Sequence, residues 1–324
     1  FAGLPDDLRE ELRVTQEELD RQRARQIASA PYAFEIPLFR AAESGSADCV
    51  RLLIEFGADV TVRDNARQTA LFHAGSAEVA RLLVEGGLST EDRDEFDWTP
   101  LAANVGDPAR LRALIAAGAN VNAVHDRGFT VLMSAAAEMG RSVEALRVLV
   151  EAGADPHAVT DLGWNAFHAA LDVNGEANDE QSVRSVLGYL RQLGVDIELR
   201  NRAGQTPLAR ALLEGTALEV RTLCELGADV NATGPTSACS AQGCEVAESP
   251  LVFAAISGDL GASQKLEALL DAGAKTTVRD PQGRTLLEAA RERRSENADY
   301  EPSDFRDALL LEMRKCLARL RAHR

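Results

Sequence analysis

The side chains that could carry chemistry in this chain are few and scattered. The five histidines stand in separate parts of the sequence: His73, His125, His157, His168 and His323. No Ser, His and Asp or Cys and His arrangement of the kind used in nucleophilic catalysis is visible, and no glycine-rich phosphate-binding loop is present. We therefore expect no catalytic residues, no cofactor and no metal site, and we do not expect an enzyme.

Two cysteines, Cys239 and Cys244, are separated by four residues within a stretch of small and polar residues. A disulfide between them would pin this segment in an oxidising compartment, whereas both would be free thiols in a reducing cytoplasm. A metal site would need two further ligands, and no histidine is near in sequence. The disulfide and the free thiols stay open as alternatives. Three others, Cys49, Cys224 and Cys316, fall in apolar helical patterns and are predicted to be small core residues.

The charge of the chain restricts its partners. Its 324 residues include 35 Lys and Arg against 51 Asp and Glu, a formal net charge of -16. This balance disfavours nucleic-acid binding, which needs a basic surface, and fits either simple solubility or a basic protein partner. Every apolar run is broken by charged residues, so no membrane span is expected. We expect a cytoplasmic protein, or a periplasmic one if Cys239 and Cys244 form a disulfide.

A short tag of the type Gly-Ala-Asp-Val recurs along the chain. Its first residue is Gly57, Gly87, Gly118, Gly153, Gly194, Gly227 and Gly273. A repeat period of this size indicates one supersecondary unit used many times, so the chain is predicted to be an array. Each tag follows a helical pattern, and the glycine stands where a left-handed residue would end that helix.

A second marker follows each tag by a dozen or so residues. It is seen as Thr69-Ala70-Leu71, Thr99-Pro100-Leu101, Thr130-Val131-Leu132, Asn165-Ala166-Phe167, Thr206-Pro207-Leu208, Ser249-Pro250-Leu251 and Thr285-Leu286-Leu287. Thr, Ser or Asn can accept the free N–H groups of a first helical turn, and Pro fits the first helical position. Each marker therefore predicts the start of a first helix, and a second helix follows, as in residues 47–54.

Together these markers resemble the ankyrin repeat, with the best match in residues 206–232, from Thr206-Pro207-Leu208 to Gly227-Ala228-Asp229-Val230-Asn231-Ala232. The resemblance implies an all-α ankyrin-repeat solenoid of about seven helix-turn-helix repeats with β-turn fingers. We expect the array at 36–284, an N-terminal helical cap at 1–35 and a C-terminal helical cap at 285–324. In this family the position of His168 usually carries a structural hydrogen bond. Gly, Ala, Arg and Glu are abundant and Lys is scarce, which suggests a bacterial origin.

The array departs from its own spacing in several places. From Thr206 the tag glycine falls 21 residues later, but from Thr69 the distance is 18 and from Thr99 it is 19. These two repeats are predicted to have lost part of a helix or the turn between helices. Two long insertions, Asp172–Glu180 and the segment holding Cys239 and Cys244, are predicted to be exposed loops, and the second is our first choice for specificity.

The fingers supply aromatic and acidic candidates for binding. Trp98, Phe129 and Trp164 precede helix starts, where they either pack along the finger or act as interface anchors. Phe96 is predicted to be an exposed contact. Exposed carboxylates are expected on fingers, at Asp64, Asp94, Glu95, Asp97, Asp126, Asp161 and Asp280, and on first helices, at Glu43, Glu138, Asp172, Glu214 and Glu288. The predicted partner-binding set is Asp64, Glu95, Phe96, Trp98, Asp126, Phe129, Asp161, Trp164, Cys239 and Cys244.

The resemblance and the acidity lead to one expected function and several alternatives. We expect a non-catalytic protein–protein interaction module, monomeric in isolation, that binds a partner protein through its acidic concave face and finger loops. A narrower alternative is an immunity or inhibitor protein that neutralises a basic toxin or enzyme. A different class, a cryptic hydrolase, and a structural spacer without any partner are the remaining alternatives.

Overall fold

The computed structural model describes residues 37–138, 143–171, 180–232 and 261–279, together with residues 254, 283–285, 288, 318 and 322. Several predicted features lie outside these residues: the cap at 1–35, most of the cap at 285–324, nearly all of the Asp172–Glu180 insertion, and the segment holding Cys239 and Cys244. The structure therefore bears on the interior of the array.

The described residues are mostly helical. Their α-helices are α1 (Pro37–Glu43), α2 (Ala47–Glu55), α3 (Ala77–Glu85), α4 (Pro100–Ala103), α5 (Pro108–Ala116), α6 (Val131–Ala137), α7 (Val143–Glu151), α8 (Ala166–Ala169), α9 (Glu180–Gln192), α10 (Pro207–Leu213), α11 (Ala217–Glu225) and α12 (Ala262–Asp271). Two short 3-10 turns occupy Ala70–His73 and Asp126–Gly128. Strands β1 (Val124–His125) and β2 (Phe129–Thr130) form a two-stranded sheet. The all-α prediction is confirmed.

The chain divides into two units, the first made of residues up to 126, 130–132 and 144–154. Within it, the first helices of successive repeats contact each other, from α1 through the turn Ala70–His73 to α4. The second helices α2, α3 and α5 contact each other in the same order. Leu71, Leu83, Leu101 and Leu114 are completely buried or nearly so. Burial of a side chain of this size stabilises the fold by roughly 1.5–3 kcal/mol.

The second unit contains residues 127–129, 133–143 and those from 155 onward. It repeats the same two-layer plan, because first helix α8 contacts first helix α10, while second helix α11 contacts both α9 and α12. Phe167, Leu187, Leu212, Leu223 and Leu266 are fully buried in this unit. Each unit thus buries the apolar faces of helices that are too short to be stable alone.

Several of the predicted helix starts are capped. The hydroxyls of Thr99 and Thr206 accept hydrogen bonds from the N–H groups three residues later, and the Asn165 side chain does the same with the N–H of His168. Each such cap is worth about 1 kcal/mol. Thr69 is different: its hydroxyl oxygen is buried and has no hydrogen-bond partner in the described structure, and the segment after it is only a 3-10 turn.

The predicted helix ends are confirmed at every tag. All seven tag glycines have positive φ, between 76° and 107°. The third tag residue has a second role, because a carboxylate or amide there accepts the N–H two residues later, as Asp59 does from Thr61 and Asp229 does from Asn231. The tag is therefore a helix terminator followed directly by a side-chain-capped turn.

The two shortened repeats lose residues from their first helices. Ala70–His73 and α4 have four residues each, whereas α1 and α10 have seven. Asn104 supplies side-chain hydrogen bonds where these first helices are short, since its amide donates to the carbonyls of Phe72 and Pro100 at 2.8 and 2.9 Å. The chain also turns closely at Gly75, where a Cβ would lie 2.6 Å from the carbonyl oxygen of Glu43. The predicted compression is confirmed and falls in the first helix.

Candidate functional site

Five short loops between repeats present side chains to solvent, and we call them fingers A (64–67), B (94–97), C (125–128), D (160–163) and E (201–204). In four of them the first residue organises the loop. Asp64, Asp94 and Asn201 each accept the N–H four residues later with a side-chain oxygen, and Thr160 does so with its hydroxyl, at 2.8–3.0 Å. These loops therefore hold their own backbone in a fixed shape.

The fourth residue of each finger requires a left-handed backbone. Glycine fills this position in fingers C, D and E, where Gly128, Gly163 and Gly204 have φ of 84°, 76° and 76°. Fingers A and B use Arg67 and Asp97 instead, at φ of 60° and 64°. A residue with a Cβ is disfavoured in this region by about 1–2 kcal/mol, so Arg67 and Asp97 carry a backbone cost that the glycines at the equivalent positions avoid.

An arginine before the finger bonds this left-handed residue. Arg63 donates to the carbonyl of Arg67, Arg93 to that of Asp97, Arg200 to that of Gly204 and Arg279 to that of Gly283, all at 2.7–2.8 Å. Sequence reasoning missed this contact. The signal was present, however, because each of these arginines stands six residues after a tag glycine.

Successive fingers are also joined by backbone hydrogen bonds. In the first unit the N–H of Glu95 donates to the carbonyl of Ala66 at 2.9 Å, and Gln68 donates from its side chain to Asp94. In the second unit the N–H of Asp161 donates to the carbonyl of Arg127, and that of Arg202 to Leu162, both at 2.8 Å. Neighbouring fingers within a unit are thus held in register.

The acidic residues that open fingers A and B do not have the exposed role predicted for them. Asp94 is only 5% exposed, so its predicted place among the exposed carboxylates is wrong. Its oxygens accept from the N–H groups of Phe96 and Trp98 and from Gln68. Asp64 is partly buried and accepts from the N–H groups of Ala66 and Gln68. Both carboxylates shape their own loops.

Finger B presents the aromatic residue that sequence analysis singled out. Phe96 is 67% exposed, as predicted, and Glu95 and Asp97 beside it are also exposed. Trp98 is half-buried, and its ring lies 5.7 Å from that of His125. Burial, assisted by Arg93, lowers the pKa of His125 below its ordinary value. Trp98 therefore packs along the finger, while Phe96 points to solvent.

The second unit brings two other predicted aromatics together. Phe129 and Trp164 are half-buried, and their rings meet edge to face with centroids 5.9 Å apart. The guanidinium carbon of Arg210 lies 3.9 Å from the centre of the Trp164 ring. Arg210 is 3% exposed, donates to the carbonyl of His168, and pairs with Glu214 at 3.0 Å. Such a cation over an aromatic face fixes the orientation of the tryptophan.

His168 has the structural role that the family resemblance implied. It is completely buried, its Nε2 lies 3.1 Å from the carbonyl oxygen of Gln205, and Nδ1 accepts from the N–H of Asn165. Nδ1 also lies 2.9 Å from the side-chain oxygen of Asn165. Burial lowers the pKa of His168 to about 4, and Arg210 contributes in the same direction. The imidazole is neutral at physiological pH. Its hydrogen bond to Gln205 connects first helix α8 to the residue that follows finger E.

The remaining predicted residues are distributed as follows. Asp126 and Asp161 are exposed on fingers C and D. On the first helices, Glu43 pairs with Arg40 at 2.9 Å and Glu214 with Arg210 at 3.0 Å, so two of the expected carboxylates are partly neutralised.

The cysteines give one correction. Cys49 is exposed on α2, so its predicted place in the core is wrong. The apolar periodicity of this helix buries the next residue, Val50, and leaves Cys49 on the solvent side. Cys224 is half-buried, and burial raises the pKa of its thiol to about 11. Cys239, Cys244 and Cys316 lie outside the described residues, so the choice between a disulfide and free thiols stays a prediction.

Two features are absent from the described residues. No group of three or more His, Cys, Asp or Glu side chains there is arranged to hold a metal ion. None of the helices in these same segments combines the length and the apolar character needed to cross a membrane.

Comparisons with known proteins give a family. Residues 25–94 and 100–184 match a family model described as ankyrin repeats (3 copies). No curated protein matches the sequence. Among solved structures, the ankyrin repeat domain of human ASB11 is similar at 23% identity and a TM-score of 0.46, with 85% of this chain and 97% of that one covered. An ankyrin repeat domain from Acinetobacter baumannii AYE is 26% identical with a TM-score of 0.47, covering 60% of this chain and 100% of that one.

The family model and the geometry agree on the same segments. From Pro37 to Ala169, residues within the match repeat a first helix or 3-10 turn, a second helix and a left-handed glycine. The family model matches almost half of the chain. The helix-start and glycine markers continue beyond the match, at Thr206 and Gly227. This chain contains ankyrin repeats.

Proposed function

We propose that this chain is a non-catalytic module that binds another protein through its finger loops and first-helix face, and that its exposed carboxylates favour a basic partner. Ankyrin repeats are generally protein–protein interaction modules. The observation that carries the proposal is finger B, which holds its backbone by internal hydrogen bonds while Phe96 at its tip stays 67% exposed.

Rigid presentation is what makes an exposed side chain useful for binding. Phe96 and Glu95 stand between the capping carboxylate of Asp94 and the Arg93 hydrogen bond to the Asp97 carbonyl. Ordering a flexible loop on binding would cost about 0.5–1.5 kcal/mol for each immobilised side chain. A loop that is already ordered avoids most of that cost, so more of the contact free energy appears as affinity.

Charge supports the choice of a basic partner. Glu95, Asp97, Asp126 and Asp161 are exposed on fingers, and the whole chain carries a formal net charge of -16. Such a field raises the association rate of a positively charged protein and weakens at high salt. An immunity or inhibitor protein is the narrower form of the same proposal, in which the fingers would cover a basic active site.

The test is affinity capture of partners by the full chain from cells that express it, followed by chemical crosslinking and mass spectrometry. We expect one stoichiometric basic protein, crosslinked to finger residues and released progressively as salt is raised. The double variant Glu95→Lys and Asp161→Lys should lose it. The matched control, Glu55→Lys and Glu151→Lys, makes the same charge change on exposed residues of second helices and should retain it.

Capture of no partner, or equal capture by both double variants, would refute this proposal. If a partner is captured, its own activity decides the narrower question. An inhibitor or immunity protein should abolish that activity at a stoichiometric ratio, whereas a scaffold should leave it intact.

A further inference from the structure

Helix α2, in the first repeat, has an apolar face that is open to solvent. Leu52 and Phe56 are 51% and 45% exposed, and Cys49 is exposed as well. Their spacing of three and four residues places the three side chains on one face of the helix. Single exposed apolar side chains are ordinary, whereas a contiguous apolar face marks a surface that another element covers.

The same positions are covered in second helices that have a neighbour before them. Helices α3, α5, α11 and α12 each contact the second helix that precedes them in their unit. Cys49 and Leu52 stand eight and five residues before the tag glycine of their repeat. The residues at these two positions of the four helices are buried or half-buried: Val79 and Leu82, Arg110 and Ala113, Glu219 and Thr222, and Lys265 and Ala268. The exposed face of α2 is therefore the face that a preceding second helix covers elsewhere.

The spacing of the array indicates which part of the chain belongs on this face. Successive second helices begin 30 to 45 residues apart, the extremes being α2 to α3 and α11 to α12. Counted back from Ala47, these intervals fall on residues 2–17, which lie outside the described residues. Their sequence contains Leu4, Leu8 and Leu12, and Leu19 follows. Spacings of four, four and seven residues place these leucines on one side of a helix, so the sequence supplies an apolar stripe at the expected distance.

We propose that the segment from Leu4 to Leu19 docks on Cys49, Leu52 and Phe56 of α2, in the place that a preceding second helix takes in later repeats. Residues 20–36 tether this segment to α1, so docking is intramolecular and a small contact is enough. A second copy of the chain would need about 20–30 residues on each side for a stable interface, which a face of three side chains does not provide. Docking of the segment requires no partner protein and is independent of the proposed function.

The thiol of Cys49 is a built-in probe of this face, because the docked segment shields it. The full, reduced chain is treated with N-ethylmaleimide, and mass spectrometry of the peptide that contains Cys49 gives the alkylation rate of this residue alone. We expect a rate at least about tenfold below that of the urea-unfolded chain, since the thiol reacts only when the segment opens. Alkylation at the unfolded rate would overturn the proposal.

Matched variants identify the covering segment. Leu12→Asp together with Leu19→Asp places two charges in the leucine stripe and should raise the alkylation rate of Cys49 about tenfold, because a buried unpaired carboxylate opposes docking. Val14→Asp together with Ala24→Asp adds the same two charges away from the stripe and should leave the rate unchanged. Circular dichroism checks that both variants retain their helices. Equal alkylation rates in the two double variants would show that the leucine stripe does not cover the face.

Crosslinking then separates this segment from a second copy of the chain. Leu8→Cys, Leu12→Cys and Leu19→Cys are made singly, with Val14→Cys as the control, and mild oxidation is followed by peptide mapping. We expect at least one of the three stripe variants to form a disulfide with Cys49, and the control to form none. Mixing isotopically labelled and unlabelled chains distinguishes links within one chain from links between chains. Links only between chains, or equal linkage of the control, would overturn the proposal and leave the proposed function untouched.

Discussion

Arg210 lies over the ring of Trp164, with its guanidinium carbon 3.9 Å from the ring centre, although only 3% of the arginine is exposed. Its carboxylate partner, Glu214, is half exposed, so the two members of this ion pair have different environments. Burial lowers the pKa of Arg210, and Glu214 opposes that shift. Because the cation is buried and its carboxylate partner is accessible, removing one changes stability by a different amount from removing the other. Each of these changes also depends on whether the partner is present.

The coupling predicts a double-mutant cycle. Glu214→Ala should lower the free energy of unfolding by about 2 kcal/mol, since it leaves the Arg210 charge buried without its carboxylate. In an Arg210→Met background the same change should cost close to nothing. Urea unfolding followed by tryptophan fluorescence measures both values. The control Glu85→Ala breaks the exposed pair with Arg81 and should cost less than about 1 kcal/mol. Equal losses in the two backgrounds would show that the pair is not coupled.

The buried His168 predicts a dependence of stability on pH. Its pKa is about 4 in the folded chain and 6.5 when exposed, so the unfolded chain binds the extra proton first. Stability from this group is complete above pH 6.5 and falls as the pH drops towards 4, by roughly 3 kcal/mol in total. His168→Gln should be less stable at pH 7, yet should lose less stability between pH 6.5 and 4.5. Parallel pH profiles for the two chains would contradict this assignment.

The left-handed residues of fingers A and B predict a stabilising substitution. Arg67→Gly should raise the free energy of unfolding by about 0.5–1 kcal/mol, because glycine adopts positive φ without the Cβ penalty. The carbonyl of residue 67 still accepts from Arg63. Asn65→Gly, in the same finger but outside the positive-φ positions, should instead lower stability slightly. Thermal melts compare the three chains, and a lower melting temperature for Arg67→Gly would argue against strain at this residue.

Two glycines predict opposite results for the same substitution. Gly75→Ala should destabilise by about 3 kcal/mol or prevent folding, since its Cβ would lie 2.6 Å from the Glu43 carbonyl oxygen, a backbone atom that cannot move independently. Gly188→Ala lies inside α9, where no atom is within 4 Å of the added Cβ, and should stabilise by about 0.5–1 kcal/mol. Chemical denaturation of both variants tests the pair, and similar changes in both would be inconsistent with these contacts.

The repeat plan could be predicted because it depends on local chemistry. A Thr before Pro207 and a glycine at 227 determine where helices start and end through bonds within a few residues. The same holds for the shortened repeats, since missing residues can be counted. Asn104 could not be assigned its role, because its amide reaches the carbonyl of Phe72 in the preceding repeat.

The candidate surface was harder to predict, since exposure depends on which way a loop residue points. Phe96 and Asp94 stand two residues apart in one acidic loop, but the first is exposed and the second turns inward to cap the backbone. Arg93 and its three equivalents were overlooked for a similar reason, as a charged residue in a polar loop gives no sign that it bonds a carbonyl. Comparing the fingers position by position would have revealed it.

The internal bonding of finger B separates the residues that build the loop from those that face solvent. Arg93, Asp94 and Asp97 maintain its shape, and residues 95 and 96 between them contribute only their backbone to it. Substitution at these two positions therefore changes what the surface recognises at little expense to folding. Variants that differ only at these two positions could therefore be screened for binding to a new target.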